Sequence, residues 1–209
     1  MKKISKIEYQ KNNKDRVSIY IDEEFAFGVH INTMIKYSLK KNMELDDDFI
    51  NKILLQEDFV RAFNYAISLL ARSSKSEKEL RLKLADKGYD ILITDRVVNK
   101  LKDYKYIDDE DFSTRFINYK SSKYGKHKLR EALYIKGVSK EIIEEKLKLI
   151  DSEDEVRTAQ VMAEKKLKNL KETEPMKKRV KLSNFLMGKG FEYETVNKVV
   201  SELLSLEYE

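Results

Sequence analysis

The chain has 209 residues, of which 38% are charged and 41% hydrophobic, and its 42 Lys and Arg against 37 Asp and Glu give a net charge of +5. It contains no cysteine, which excludes disulfides, thiolate metal sites and cysteine nucleophiles. No apolar run approaches the ~20 residues of a membrane span, and no signal segment follows Met1-Lys2-Lys3. We expect a soluble, cytoplasmic monomer whose positive charge permits a polyanionic partner without requiring one.

The first residues predict a β-hairpin, because 3–11 and 16–21 alternate apolar and polar side chains on either side of Asn12-Asn13-Lys14. The apolar sides of the two strands are Ile4, Ile7 and Tyr9, and Val17, Ile19 and Ile21. The uneven spacing between Ile4 and Ile7 indicates a bulge. Residues 24–29 suit a third strand, and a helix is expected through 34–39. This N-terminal module is predicted to span residues 1–46.

The rest of the chain is predicted to be helical, because one sequence motif, Leu-x3-Leu-x2-Lys-Gly, occurs three times. The copies are Leu80/Leu84/Lys87/Gly88, Leu129/Leu133/Lys136/Gly137 and Leu182/Leu186/Lys189/Gly190. Leucines four apart share a helix face and Lys-Gly is typical of a helix end. The glycines recur about every fifty residues, which suits three helices per unit. We therefore predict three helical repeats after the N-terminal module, spanning residues 47–104, 105–150 and 151–209.

Acidic residues mark expected helix starts, where they offset the positive end of the helix dipole. The pairs Glu57-Asp58, Glu110-Asp111 and Glu153-Asp154 are interpreted in this way. The run Asp108-Asp109-Glu110-Asp111 offers oxygen ligands for Mg²⁺. Four consecutive side chains cannot all point inward, so capping is the preferred interpretation of that run.

Three segments of the chain together resemble the RecX family, which regulates the RecA recombinase in bacteria. They are Ser76-Glu77-x-Glu79-Leu80-x-x-Lys83-Leu84-x-x-Lys87-Gly88-Tyr89, Tyr106-Ile107-Asp108-Asp109-x-x-Phe112 and Tyr124-Gly125-x-x-x-Leu129-x-x-x-Leu133-x-x-Lys136-Gly137-Val138. The resemblance covers residues from about 57 onward, and the N-terminal module is expected to be an extension that only some members carry. The third copy departs from the pattern, with Met187-Gly188 ahead of Lys189-Gly190.

The resemblance implies a mainly α fold, in which three tandem three-helix repeats form a curved, elongated array after the β-hairpin module. It also implies a non-enzymatic regulator that binds along the groove of the RecA–DNA filament. There the family restrains ATP hydrolysis, strand exchange and co-protease activity. The implied partners are RecA and single- or double-stranded DNA, contacted directly or through the filament.

The residues themselves offer no active site. Only two histidines occur, His30 and His127, and they are far apart in the sequence. No phosphate-loop pattern is present. We therefore expect no catalysis, no cofactor and no metal. The lysines of the three Lys-Gly pairs are interpreted as structural, with their ammonium groups near the last helix carbonyls.

Basic residues cluster at the start of the middle helix of every repeat, a composition that suits phosphate or an acidic protein face. The strongest cluster has two tyrosines and Gly125 among its cations, and this glycine is expected to let the backbone approach a partner. The candidate binding residues are Lys120, Lys123, Lys126, Lys128 and Arg130, with Arg72, Lys75, Lys78, Arg81 and Lys83 in the first repeat and Lys177, Lys178, Arg179 and Lys181 in the third.

Two alternatives remain open at this stage. The segments 79–88 and 90–102 could form a helix-turn-helix pair that reads the major groove, with Arg96, Asn99 and Lys100 as base-contacting residues. The chain could also be a generic helical-repeat adaptor that binds neither nucleic acid nor a recombinase.

Overall fold

The computed structural model describes residues 1–172 and 174–206. Helices dominate these residues, and four strands lie near the N-terminus. The chain divides into two compact units. The first unit contains Met1–Ser74 and Leu80–Tyr106, and the second contains Lys75–Glu79 and the chain from Ile107 onward.

The first unit opens with an antiparallel sheet in the order β3-β2-β1-β4. Its strands are β1 (Lys2–Gln10), β2 (Asn13–Ile21), β3 (Glu24–His30) and β4 (Glu44–Leu45), and α1 (Ile31–Lys36) lies between the last two. The predicted hairpin and third strand are confirmed, as is the bulge, which lies between Ile4 and Lys6. The prediction missed β4, because two residues carry no alternation to recognise.

One face of this sheet forms an apolar core with the start of the first long helix. Ile4, Val17, Ile19 and Val29 are at most 1% exposed, and Ile53 of α2 (Asp47–Leu70) packs among them. Tyr9, predicted to lie on the apolar side, is 67% exposed. The burial of β-branched side chains on one face fixes the strand register, because a slip by one residue would expose all of them.

The prediction that a helix begins at Glu57-Asp58 is wrong. Helix α2 begins at Asp47, where the side chain of Asp46 accepts a hydrogen bond from the backbone N–H of Phe49 at 2.7 Å. Glu57 lies in the middle of the helix and its side chain is 3% exposed. It forms an ion pair with Arg16 of β2 and accepts a hydrogen bond from the His30 N–H at 2.7 Å. Glu57 therefore ties the sheet to α2.

The remaining helices follow in threes. Helices α3 (Glu77–Asp86) and α4 (Ile91–Asp103) come after α2. They are followed by α5 (Asp109–Lys120), α6 (Lys126–Ile135) and α7 (Lys140–Lys148), then by α8 (Ser152–Lys168), α9 (Pro175–Gly188) and α10 (Tyr193–Leu206). The middle helices α3, α6 and α9 each end before a Lys-Gly turn. None of the described helices is long and apolar enough to cross a bilayer.

The leucines of the repeated motif lie in the cores of the three helical repeats, as predicted. Leu80, Leu84, Leu129, Leu133, Leu182 and Leu186 are at most 1% exposed. The glycines Gly88, Gly137 and Gly190 have φ values of +91°, +82° and +85°, the left-handed conformation that ends a helix and favours glycine. The predicted mainly helical fold with a strand-containing N-terminal module is confirmed.

Candidate functional site

In the second and third repeats, the start of another helix of the chain packs against the Lys-Gly turn and donates hydrogen bonds to its carbonyls. We call a turn that accepts a helix start in this way a socket. At Lys136-Gly137, the first turn of α3 supplies the donors: the Ser76 hydroxyl donates to the Lys136 carbonyl at 2.6 Å, and the Lys78 ammonium donates to the Ile135 carbonyl at 3.2 Å. Ser76 and Lys78 belong with this turn to the second compact unit. The turn therefore does more than end its own helix.

The turn at Lys189-Gly190 receives the start of α6 in the same way. The Gly125 N–H donates to the Lys189 carbonyl at 3.0 Å. The Lys128 ammonium donates to the Gly188 carbonyl at 3.3 Å. Ile135 and Gly188 occupy the same position, one residue before the Lys-Gly pair, so a lysine from a helix start reaches the same carbonyl at both junctions.

Glycine is required at this junction by close backbone approach. A Cβ built on Gly125 would lie 2.4 Å from the Gly190 carbonyl oxygen, and one on Gly190 would lie 2.4 Å from the Lys128 Cβ. The close approach that the sequence led us to expect with a partner is therefore made within the chain. The consequence is a rigid placement of the residues that flank Gly125.

Acidic residues of the first helices complete these junctions. Asp109 of α5 accepts a hydrogen bond from the backbone N–H of Glu77 at 2.9 Å. Glu155 of α8 accepts one from the Lys126 N–H at 3.1 Å, and its carboxylate lies 3.4 Å from the Lys126 ammonium. Each carboxylate meets free N–H groups at a helix start, where negative charge is stabilising.

The contacts of the acidic run that begins at Asp108 support its interpretation as a helix cap. Asp108 accepts hydrogen bonds from the backbone N–H groups of Glu110 and Asp111 at 2.8 and 3.3 Å. Asp109 faces Glu77, and Glu110 pairs with Lys146 at 2.9 Å. Among the described residues no group of His, Asp and Glu side chains is arranged to hold a metal ion.

Three of the candidate arginines connect the middle helix of a repeat to its third helix. Arg81 pairs with Asp95 at 2.5 Å, and Arg130 binds Glu144 through two hydrogen bonds of 2.6 and 3.1 Å. In the third repeat Arg179 donates to the Asn197 side chain at 3.1 Å. The hydrogen bond with Glu144 raises the pKa of Arg130 and correspondingly lowers the pKa of Glu144. These guanidinium groups are committed to internal contacts.

Four lysines and two tyrosines form a cationic cluster in the second unit, which we call the tyrosine–lysine surface. Its members are Tyr119, Lys120, Lys123, Tyr124, Lys128 and Lys189. The Lys120 ammonium lies 5.1 Å from the Tyr119 ring centroid, and those of Lys128 and Lys189 lie 5.6 and 5.8 Å from the Tyr124 ring. The Tyr119 side chain is 69% exposed.

The charge of this surface is not neutralised by any carboxylate in the described part of the chain. Within the described residues, no carboxylate lies within 4.0 Å of the ammonium groups of Lys120, Lys123, Lys128 or Lys189. The tyrosine rings attract the ammonium groups through cation–π contacts and restrict where they point. Sequence reasoning missed Lys189, because its Lys-Gly pair was interpreted as a helix end alone.

Most of the remaining candidate binding residues contact groups of the chain itself. Lys83, Lys177 and Lys181 pair with Asp86, Glu174 and Glu172 at 3.5, 2.7 and 3.0 Å. Lys126 pairs with Glu155, and Lys78 is engaged with the Ile135 carbonyl. Arg72 is exposed, and Lys75 and Lys178 make further contacts of their own. The structure thus brings together Lys120, Lys123 and Lys128, which differ from the neighbouring candidates Lys126 and Arg130 in having no carboxylate partner among the described residues.

In the helix proposed to read the major groove, two of the three proposed base-contacting residues lie against aromatic rings. Arg96 of α4 lies 4.8 Å from the Phe59 ring centroid, and Lys100 lies 4.4 Å from the Tyr104 ring. A recognition helix needs such side chains free to reach base edges. These contacts therefore weigh against the helix-turn-helix alternative.

Family models match most of the chain in four consecutive pieces. The regulatory protein RecX N-terminal domain matches residues 2–46, and the first, second and third RecX three-helix domains match residues 62–101, 108–147 and 153–200. The N-terminal module is therefore part of the match, which corrects the expectation that the resemblance begins near residue 57.

Relatives and solved structures agree with these matches. The regulatory protein RecX of Clostridium perfringens strain 13 is 38% identical over 210 aligned residues, covering 100% of this chain and 99% of the relative. That of Clostridium botulinum strain Alaska E43 is 36% identical over a similar span. A crystal structure of regulatory protein RecX superposes with a TM-score of 0.80 at 25% identity, covering 95% of this chain and 98% of that one. RecX from Lactobacillus salivarius gives a TM-score of 0.67 over 72% of this chain.

The strand-containing module, the three Lys-Gly turns and most of each three-helix repeat lie within these matches, and the identity exceeds 30% over the full length. The chain belongs to the RecX family of regulatory proteins.

Proposed function

We propose that the chain is a non-enzymatic regulator that binds in the groove of the RecA–DNA filament and inhibits RecA's ATPase, strand-exchange and co-protease activities. Family membership supports a regulatory role. The observation that supports a specific contact is the tyrosine–lysine surface, whose four ammonium groups have no carboxylate partner among the residues that the structure describes. The filament, and with it this chain, would act in the bacterial cytoplasm.

The chemistry of this surface suits a polyanion held at short range. Ammonium groups without a carboxylate partner gain most from phosphates or carboxylates, because binding releases counterions from the partner. The two tyrosine rings add flat, amphipathic contact area at low entropic cost. Lys128 and Lys189 come from opposite sides of the Gly125–Lys189 junction, so the surface exists only when the second and third repeats are packed together.

In the proposed mechanism, the chain inhibits RecA by restricting movement between neighbouring protomers of the filament. A chain that contacts neighbouring protomers of a filament opposes the movements between them that accompany ATP hydrolysis. Repeated units suit this task, because several weak contacts to one polymer reinforce each other through effective concentration. In this proposal the internally paired arginines keep each repeat rigid, and the tyrosine–lysine surface makes a direct contact.

The test is sedimentation of the chain with RecA assembled on DNA, using Lys120→Glu/Lys123→Glu against wild type. We expect about tenfold or greater loss of binding and a smaller dependence on salt, because two cationic contacts are removed. The matched control is Lys40→Glu/Lys41→Glu, which makes the same charge change at two exposed lysines of the first unit. Equal losses in the two variants would mean that net charge, and not this surface, governs binding.

A further inference from the structure

The Lys-Gly turn of the first repeat is the same kind of socket, but none of the residues that the structure describes occupies it. A Cβ built on Gly88 would meet nothing within 4 Å, whereas one on Gly137 would lie 2.3 Å from Lys78 and one on Gly190 would lie 2.4 Å from Lys128. The backbone conformation is shared, since φ is +91° at Gly88 and +82° at Gly137. Only the helix that fills the turn is missing.

Hydrogen bonding shows the same difference. In the second repeat, the carbonyls of Ile135 and Lys136 accept from Lys78 and Ser76. In the third, the carbonyls of Gly188, Lys189 and Gly190 accept from Lys128, Gly125 and His127. Within the described residues, the corresponding carbonyls of Asp86, Lys87 and Gly88 accept no hydrogen bond. Three acceptors are therefore available in the geometry that elsewhere binds the start of a helix.

The turn also borders a groove of about 230 Å³ between α2 and the start of α4. Its lining includes Asp58 and Arg61 of α2, with Gly88, Tyr89 and Asp90 from the turn. The charges around the turn are mixed: Arg61 pairs with Asp58 at 3.6 Å, Lys83 pairs with Asp86 at 3.5 Å, and Lys87 and Asp90 also border the turn. The preference for a basic residue at the start of an incoming helix therefore comes from the carbonyl acceptors, which accept from a lysine at both filled turns.

An uncovered apolar pair lies beside this groove. Ile91 and Leu92, which follow the N-cap Asp90, are 73% and 71% exposed. The second repeat has Lys140-Glu141 at the same two positions. Burial of two exposed aliphatic side chains would supply the affinity that hydrogen bonds at a solvent-exposed turn lack.

We infer that the Gly88 turn, with Ile91 and Leu92 at its rim, is a docking site for a helix N-terminus that carries a lysine or arginine in its first turn and belongs to a filament protomer. The inference rests on the proposed function for the identity of the partner. The two filled turns of the same chain define the chemistry of the contact.

A second copy of the chain is a poorer fit to this site. Its remaining middle helix, α9, begins at Pro175, which lacks the N–H that α3 and α6 donate at their first residue to Asp109 and Glu155. It also begins about one turn further from its first core leucine, Leu182, than α3 and α6 begin from Leu80 and Leu129. The start of α9 thus differs from the two helix starts that occupy turns, both in its first N–H and in its length.

The first arm of the test asks whether the turn binds a helix start. The probe is a helix-stabilised peptide copying residues 74–86, added to isotope-labelled full-length chain while backbone amide signals are followed. We expect shifts centred on Gly88, and about tenfold weaker binding for Ile91→Lys/Leu92→Glu, which copies the residue types of the second repeat. Tyr193→Lys, at the position of Ile91 in the third repeat, should leave binding unchanged. Absence of shifts at Gly88, or equal shifts with a peptide carrying Lys78→Glu, would overturn the docking site.

The second arm asks whether the filament is the partner, by sedimentation with RecA on DNA. We expect Ile91→Lys/Leu92→Glu to bind more weakly than wild type and Tyr193→Lys to bind equally. If wild type and Ile91→Lys/Leu92→Glu bind alike, the filament is not the occupant, although the proposed function stands. If wild type itself fails to bind, the proposed function falls and this assignment of the partner falls with it.

Discussion

Gly125 donates its backbone N–H to the carbonyl oxygen of Lys189 at 3.0 Å, which joins the start of α6 to the turn after α9. Ser76 makes the corresponding contact to Lys136 at 2.6 Å through its hydroxyl group. Each of these turns ends one helix and offers its backbone carbonyls as acceptors to the start of another. Since a carbonyl is present whatever the side chain, the acceptor half of the contact tolerates sequence divergence between the second and third repeats.

Replacing Gly125 with alanine should destabilise the chain. The new methyl group would lie 2.4 Å from the Gly190 carbonyl oxygen, so the backbone must shift at a cost of about 1–3 kcal/mol. The free energy of unfolding from urea titration measures this loss. The control is Gly188→Ala in the last turn of α9, where a Cβ meets nothing within 4 Å and alanine should be neutral or stabilising by up to about 1 kcal/mol. Equal stability of the two variants would contradict the close approach.

Removing Arg16 should weaken the attachment of the sheet to α2. Glu57 is 3% exposed at its side chain, so Arg16→Ala leaves a buried carboxylate without its charged partner, at a cost of about 3 kcal/mol. The exposed pair of Lys2 and Asp47, with side chains 52% and 76% exposed, provides the comparison. Lys2→Ala should change the free energy of unfolding by less than about 1 kcal/mol. Losses of the same size in both variants would contradict the structural role of Glu57.

Arg130 should act on stability more than on filament binding. A double-mutant cycle with Arg130→Ala and Glu144→Ala should give a coupling energy of about 0.5–1 kcal/mol, because the pair is bidentate but partly exposed. Sedimentation with the filament should change little in Arg130→Ala compared with Lys120→Glu/Lys123→Glu. A large loss of binding in a fully folded Arg130→Ala variant would place the guanidinium in the interface instead.

The contacts of Glu79 with Lys136 and Ser76 should make the free energy of unfolding decrease in acid. Burial pushes the pKa of Glu79 upward, but hydrogen bonds from Lys136 and from the Ser76 N–H outweigh it and hold the pKa below its ordinary value of 4.5. A carboxyl group whose pKa is lower in the folded state stabilises the fold above its ordinary pKa, and this contribution is lost as pH falls through the lowered value. Glu79→Gln should therefore flatten the dependence below about pH 4.5 by no more than about 1 kcal/mol. Urea titrations at a series of pH values measure it, and unchanged slopes would contradict the assignment.

Local pattern predicted those parts of the fold that local sequence controls. The repeated leucines and glycines specified the middle helices and their ends, and alternation specified three strands together with the bulge after Ile4. Glu57 was misplaced because an acidic pair before a phenylalanine also occurs at the start of α5. What distinguishes Glu57 is a partner, Arg16, on a distant strand.

The candidate site was predictable as a region but not as a set of residues. Composition identified the segment containing Lys120, Lys123 and Lys128. Whether a cation is available depends on the acids that face it in three dimensions, and this separates Lys120 from Arg130, whose partner Glu144 lies on another helix. Lys189 joins the surface only because the turn of the third repeat packs against Gly125.

The most direct test of the proposed function is the DNA-dependent ATPase rate of RecA titrated with the wild-type chain at low salt. The proposal predicts progressive inhibition that weakens as salt rises, and that weakens strongly for Lys120→Glu/Lys123→Glu but not for Lys40→Glu/Lys41→Glu. An unchanged ATPase rate at saturating wild-type chain in low salt would contradict it.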